Sequence, residues 1–163
     1  MVCFDKRPMP YPLPEDVSFE QADLGDPDWR YVGDQPDVLY HLAAEPWSMV
    51  RGASWFEGSR SSFYSNAAAT YNVLEQVKPR HVVFSSTANL YGEGRKLRED
   101  SPVSVSSQYG YSKWVAEEII RKSGVPYTIF RFGTVVGPRG RCFPNRLVWC
   151  GLKGEPVELF NGG

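Results

Sequence analysis

The sequence predicts an α/β fold organised around a parallel sheet. Three observations carry that expectation. Short apolar runs of buried-strand type recur at 38–44, 81–86 and 126–132. Helix-like segments with apolar residues at helical spacing lie between them, at 65–77 and 110–122. Polar stretches rich in proline and glycine separate the two kinds of segment. Strands alternating with helices imply a parallel sheet with helices on both faces.

Taken in order, Val2-Cys3-Phe4-Asp5 is a short strand ending in an acid, and 6–16 is a loop dense in proline and charge. Residues 17–22 alternate as a strand. Pro27, suited to a first helical turn, starts a short helix over 27–32. Residues 38–44 form a buried strand, and 45–60 are irregular, with three aromatics. Tyr71, Leu74 and Val77 give the 65–77 helix its apolar face, and Pro79 stops it. After the strand at 81–86, residues 87–108 are a long polar loop containing Tyr91-Gly92-Glu93-Gly94. Trp114, Val115, Ile119 and Ile120 make the stripe of the next helix, Arg121 and Lys122 suit its C-terminal end, and Gly124 ends it. The strand at 126–132 follows. A turn at 137–140, a helix at 143–152 and a short strand at 156–160 complete the chain.

Composition narrows the function classes. The 163 residues are 42% hydrophobic and 23% charged, enough to bury a core. The net charge of -1, from 18 basic and 19 acidic residues, gives no electrostatic footprint for nucleic acid or an anionic membrane. No apolar run approaches the roughly 20 residues of a membrane helix, and no secretory signal opens the chain. A cytoplasmic protein is expected. Cys3, Cys142 and Cys150 are odd in number and lack CxxC spacing, so they are read as free thiols in a reducing compartment. His41 and His81 border apolar strands and are read as structural residues rather than metal ligands.

The most informative segment is Gln108-Tyr109-Gly110-Tyr111-Ser112-Lys113. Tyr109 and Lys113, four apart at the start of a helix, share one face. A tyrosine is a poor base at neutral pH, and a neighbouring ammonium favours its phenolate, so the two form a candidate acid/base pair. Alone, a Tyr-x-x-x-Lys match is unspecific and describes many surface pairs. Upstream, the strand Val82-Val83-Phe84 runs into Ser85-Ser86-Thr87. That places hydroxyls at a strand's carboxyl end, where open α/β sheets bind ligands, although turn chemistry also accounts for them.

Together these residues resemble the extended short-chain dehydrogenase/reductase superfamily, in its NAD-dependent epimerase/dehydratase branch acting on nucleotide sugars. Five ordered segments carry the resemblance: His41-Leu42-Ala43-Ala44, the asparagine-led helix from Asn66 to Glu75, Phe84 to Gly92, Tyr109 to Glu117, and Arg131 to Arg139. The implied fold is a Rossmann-like, doubly wound parallel sheet. It would comprise a partial NAD-binding domain with the catalytic helix over 1–140 and the start of a substrate-binding region over 141–163. The implied catalytic residues are Tyr109 as acid/base, Lys113 on the nicotinamide ribose and Thr87 on the reacting hydroxyl. The implied cofactor-binding residues are Asp5, Asp23, Leu24, Leu42, Ala43, Ala44, Ser85, Tyr109, Lys113 and Phe132. For Asp23 and Leu24 an ordinary strand-end turn remains open. An acid at Asp5 favours NAD over NADP, against which Lys6 and Arg7 could accept a 2′-phosphate. The implied substrate is a nucleotide sugar. Family members commonly form homodimers through the Tyr-Lys helix and the helix before it, and the Trp114 stripe suits that contact or packing on the sheet.

Three departures qualify the resemblance. Thr134 stands where many sugar epimerases have an asparagine. The glycine-rich turn that cradles a pyrophosphate has no counterpart; with Asp5 as the ribose acid, that turn, about 20 residues earlier, would fall before Met1. The close, Leu159-Phe160-Asn161-Gly162-Gly163, matches only the approach to the family's substrate region. A chain truncated at both ends is therefore expected. Two readings follow: epimerase/dehydratase chemistry with hydride transfer to and from NAD, or a catalytically incompetent relative serving as an interaction or scaffold piece. A third, an unrelated α/β binding domain with accidental motifs, must explain five ordered matches by chance.

Overall fold

The computed structural model describes residues 1–45, 60–92, 96–138, 140 and 142–157. The chain divides into two compact units, Met1–Arg131 and Phe132–Gly163.

The first unit is α/β. β1 (Val2–Asp5) and β2 (Ser18–Gln21) pair in parallel, with Val2 opposite Ser18 and Asp5 opposite Gln21. β3 (Leu39–His41), β4 (Val82–Thr87) and β5 (Tyr127–Phe132) form a second sheet in that order. β3 and β4 are parallel, and His41 lies opposite Phe84. Between β3 and β4 a π-helical turn (Phe63–Ala68) runs directly into α1 (Ala69–Val77). Lys78 ends α1 in the left-handed conformation, φ 47°, and its N–H bonds back to the Leu74 carbonyl. A 3₁₀ turn (Ala88–Tyr91) follows β4, and α2 (Gln108–Lys122) precedes β5.

The core forms where α1 and α2 pack over β4. Leu74 from α1, Val82 and Phe84 from β4, and Ala116 and Ile120 from α2 are its buried members, with Leu39, Ile119, Val125 and Ile129 packed around them. Alternation along β4 explains the choice: Val82, Phe84 and Ser86 are buried on the helix side, while Val83 and Ser85 opposite are half-buried. Each large apolar side chain buried this way contributes about 1.5–3 kcal/mol. The stripe read on the second helix therefore divides: Ile120, with Ala116 beside it, is buried in the core and Ile119 packs against it, whereas Trp114 and Val115 are only half-buried.

Three expectations need correction. No helix forms over 27–32. Asp23 Oδ1 accepts from Gly25 N at 2.9 Å and Asp26 Oδ1 accepts from Asp28 N at 2.8 Å, so side-chain turns replace the helix that Pro27 suggested. The 38–44 strand shrinks to Leu39–His41, because the chain then leaves the ladder and Glu45 N donates to the Asn66 side-chain oxygen at 2.8 Å. The 65–77 helix begins earlier: residues 60–62 are already helical and lead into the π-helical turn. Of the strand expected at 156–160, Pro156 and Val157 are irregular and the rest lies outside the described residues, as do Trp47, Trp55 and Phe56 of the 45–60 stretch and Glu93-Gly94 of the long loop.

In the second unit, α3 (Phe143–Lys153) starts with proline in its first turn and ends at Gly154, φ 67°. The Asn145 amide fastens the preceding turn by donating to the Gly137 carbonyl at 2.6 Å. Cys150 is buried on α3, and all three cysteines are free. Among the described residues no helix is long and apolar enough to cross a membrane, and no cluster of residues could hold a metal ion.

Candidate active site

Two neighbourhoods of the first unit carry the predicted residues. The first is a crevice at the carboxyl ends of the strands. Five predicted cofactor residues line it together: Asp5 after β1, Asp23 and Leu24 after β2, and Ala43 and Ala44 after β3. Lys6 and Glu45 close one side as an ion pair at 2.9 Å. Glu45 is held below the usual carboxylate range, first by its hydrogen bond from Lys6 and then by Ser65, with Ser61 adding a third donor. Lys6 is thus committed to Glu45 and Ser65, leaving Asp5 with the Arg7 backbone N–H at 2.8 Å and the Arg7 guanidinium at 4.0 Å. Gly25 is required here, because a side chain would stand 2.9 Å from the Tyr64 carbonyl oxygen. Leu42, next to this group, is 62% exposed and does not line the crevice.

The second neighbourhood surrounds the start of α2. Ser107 caps the helix by accepting from Gly110 N at 3.0 Å. Gly110 fits because a Cβ there would meet Ser107 Oγ and Val105 Cγ1 at 3.0 Å. Tyr109 is half-buried in the first turn, and burial pushes its phenol above the ordinary value. Lys113, one turn on, is 1% exposed. Its Nζ has no hydrogen-bond partner and lies 4.1 Å from the centroid of the Phe84 ring. Burial pushes its pKa down to about 8, against an opposing pull from Glu117. The lowering of the phenol expected from the ammonium is not seen; desolvation of Tyr109 sets the direction.

Around this pair, Thr87 is buried at the end of β4, and its hydroxyl accepts from Asn89 N at 3.2 Å, capping the 3₁₀ turn. Ser85 is half-buried on the far face of β4, and Phe132 ends β5 at 45% exposure. His41 is buried beside Phe84, with ring centroids 5.3 Å apart, and its Nε2 lies 2.8 Å from Thr70 Oγ1. Burial, then the Lys113 charge, lowers its pKa to about 3, so the ring is neutral.

Three residues outside the predicted set organise the site. Asn66 accepts from Glu45 N at the crevice and donates to Ser112 Oγ on α2 at 2.9 Å, while Ser112 Oγ donates to the Tyr109 carbonyl at 2.8 Å. It sits in the π-helical turn, a backbone departure frequent at functional sites. Its place at the head of a helix was visible in sequence, but its partners, 21 and 46 residues away, were not. Glu117 is fully buried and accepts two hydrogen bonds from Arg131, at 2.9 and 2.7 Å, and one from Arg121 at 3.1 Å. The signal was present: Glu117 continues the four-residue spacing of Tyr109 and Lys113 on a face otherwise buried.

The comparisons with known proteins agree with this architecture. The model of the "NAD dependent epimerase/dehydratase family" matches residues 1–163. A UDP-glucose epimerase of Bacillus subtilis described as uncharacterised, YtcB, is 35% identical over 138 residues, covering 78% of this chain and 42% of that protein. A probable UDP-glucuronate 4-epimerase of Rhizobium meliloti is 29% identical, covering 79% and 40%. Among solved structures, UDP-glucuronic acid 4-epimerase from Bacillus cereus, in complex with UDP-glucuronic acid and NAD, superposes with a TM-score of 0.78 at 26% identity, over 99% of this chain and 58% of that one. MoeE5, in complex with UDP-glucose and NAD, gives 0.77 at 27% identity, over 99% and 56%. The chain spans about 40% of the length of these two sequence relatives. With the match running from the first residue to the last, on a fold of the same kind, this chain belongs to the NAD-dependent epimerase/dehydratase family.

Proposed function

We propose that this chain carries the acid/base pair and part of the cofactor site of an NAD-dependent nucleotide-sugar epimerase or dehydratase. The observation that carries the reading is Lys113: a buried amine with three donors and no acceptor, one helical turn from Tyr109. Such a group is costly unless a ligand completes its hydrogen bonds, and a ribose diol would do so. The crevice supports the same fit. Asp5 would hold the adenosine ribose, Asp23 and Leu24 would flank the adenine, and Ala43 and Ala44 would line the wall beside them. Asp5 repels a 2′-phosphate and Lys6 is engaged by Glu45, which favours NAD over NADP. NAD, when bound, supplies the hydride acceptor and donor at the sugar carbon.

The chain's own residues handle the proton. Tyr109 Oη would take the proton of a sugar hydroxyl as that carbon is oxidised, and return it on reduction. Thr87 would hold that hydroxyl in place. Burial alone keeps the Tyr109 phenol protonated, so the Lys113 charge is needed to make the phenolate accessible. The UDP-sugar activities named for the relatives support a UDP-sugar substrate. A homodimer would use the outer faces of α1 and α2, where Tyr71 and Tyr111 are more than half exposed. Three free cysteines support a reducing cytoplasmic setting.

The second reading, a relative that binds partners without turnover, is favoured by one observation: among the described residues the β1–β2 and β3–β4–β5 sheets are not joined by strand pairing. Titrating NADH into the chain and following nicotinamide fluorescence separates the two. Saturable binding, weakened about tenfold or more by Lys113→Ala, is expected. No binding by the unaltered chain overturns the cofactor reading. In the whole protein, Tyr109→Phe should abolish turnover and leave NAD binding intact.

A further inference from the structure

We propose that Glu117 is a positioning residue for the Tyr109–Lys113 pair: its buried carboxylate, clamped by Arg131 and Arg121, sets a fixed negative charge on the face of α2 that carries both, one turn from the Lys113 ammonium. The inference deepens the function proposed above and rests on it.

Tyr109, Lys113 and Glu117 stand at i, i+4 and i+8, so all three share one face of α2. Lys113 and Glu117 are 1% and 0% exposed, so bulk solvent does not reach between them to screen their charges. The groups facing Lys113 from every packed element are few. On β4 it meets the Phe84 ring. On β3, His41 is neutral, because burial and the Lys113 charge both disfavour a second cation there. On its own helix, Tyr109 is a protonated phenol. Among the described residues, Glu117 is the acid that pulls on it, opposing the burial that drives it down.

Glu117 is built to remain ionised. Burial alone would push its carboxyl up, but hydrogen bonds from Arg131 and Arg121 hold it below the usual range. Ser86 Oγ has no partner at ordinary hydrogen-bonding distance, yet it lies near enough to this carboxylate to add to the effect. Both arginines are themselves anchored. Arg131 lies 4.8 Å from the Tyr91 ring centroid; Arg121 reaches Tyr127 Oη at 3.4 Å and Glu118 at 3.7 Å. A staple between α2 and β5 needs only one of these arginines. Two arginines on one fully buried carboxylate, one turn from an unpaired amine, keep that carboxylate negative at every pH where Lys113 could lose its proton.

The test is a titration of Lys113 Nζ by NMR in the ¹⁵N-lysine-labelled chain, unaltered and as Glu117→Gln and Arg121→Gln. It needs neither cofactor nor turnover, so it judges Glu117 separately from the proposed activity. The unaltered midpoint is expected at about 8. Glu117→Gln keeps an acceptor for Arg131 but removes the charge, and should lower the midpoint by about 1 unit or more. Arg121→Gln removes a competing cation at a partly exposed site and should raise it. A purely structural staple predicts otherwise: loosening at Glu117 admits water and raises the midpoint. An unmoved or raised midpoint in Glu117→Gln overturns the proposal. Should that variant fail to fold, Arg121→Gln decides: with α2 amide protection unchanged, a rise supports the proposal, and no shift or a fall overturns it.

Discussion

Replacing Lys113 with methionine should make the protein more stable while destroying its proposed cofactor site. Lys113 is 1% exposed and burial lowers its pKa from the ordinary 10.5 to about 8. At about 1.4 kcal/mol per unit, the protonated amine costs the folded state about 3 kcal/mol relative to the unfolded chain. The sign follows from proton affinity. Below pH 8 both states hold the proton and the full penalty applies. Between pH 8 and 10.5 the folded state releases its proton first and the penalty fades. Above 10.5 it is gone. Methionine keeps the unbranched stem and removes the charge, forfeiting the interaction with the Phe84 ring, which is worth about 2 kcal/mol at most when desolvated. Set against the penalty of about 3 kcal/mol, that loss leaves an expected net gain on the order of 1–3 kcal/mol at pH 7. Urea unfolding of both chains at pH 7, 9 and 10.5 measures it; the difference should shrink with rising pH. A Lys113→Met chain less stable at pH 7, or a difference that does not change with pH, would refute the reasoning.

His41 and Gly92 offer two further tests. His41 is buried neutral with a pKa of about 3, below its unfolded 6.5, so its contribution is complete above pH 6.5 and falls by about 1.4 kcal/mol per unit as pH drops toward 3. His41→Gln should flatten that acid limb in urea titrations between pH 6.5 and 4, and an unchanged slope would contradict the assignment. Gly92 sits at φ 66° with no room for a side chain, since a Cβ would stand 2.6 Å from the Ser104 carbonyl oxygen. Gly92→Ala should cost about 1–3 kcal/mol in the same assay, and a cost under about 0.5 kcal/mol would show that the loop yields.

The order of strands and helices was legible because it rests on local signals: apolar runs, helical spacing, and glycine and proline stops. The 27–32 helix failed where two local signals competed, with the aspartate side-chain turns at Asp23 and Asp26 prevailing over Pro27. Gly124 was read as the helix stop, and it stands just past the end of α2 at φ 76°, after Ser123 donates its hydroxyl to the Ile120 carbonyl. Within the site, spacing along one helix identified Tyr109 and Lys113 as neighbours. The crevice residues Asp5, Asp23, Leu24, Ala43 and Ala44 come from three separate strand ends, and only resemblance to a family grouped them before the structure did. Asn66 shows the limit, since an asparagine at a helix start reads as an ordinary turn former until its two distant partners are known.

The two buried charges of α2 differ in a way that separates stability from function. Glu117 has its hydrogen bonds within the protein, so removing it strands the largely buried Arg131, whereas removing Lys113 strands nothing. A folded chain under selection for stability alone would replace Lys113, because methionine or leucine fills the same volume without the penalty. An unpaired amine at the centre of the core, on the helix face that carries Tyr109 and Glu117, is what the proposed cofactor contact would complete. Asn66 ties the same helix to the rim of the crevice through Ser112 and Glu45. A ligand reaching Lys113 and lying along that rim would therefore load one hydrogen-bonded unit, and filling the crevice should stabilise α2 along with it.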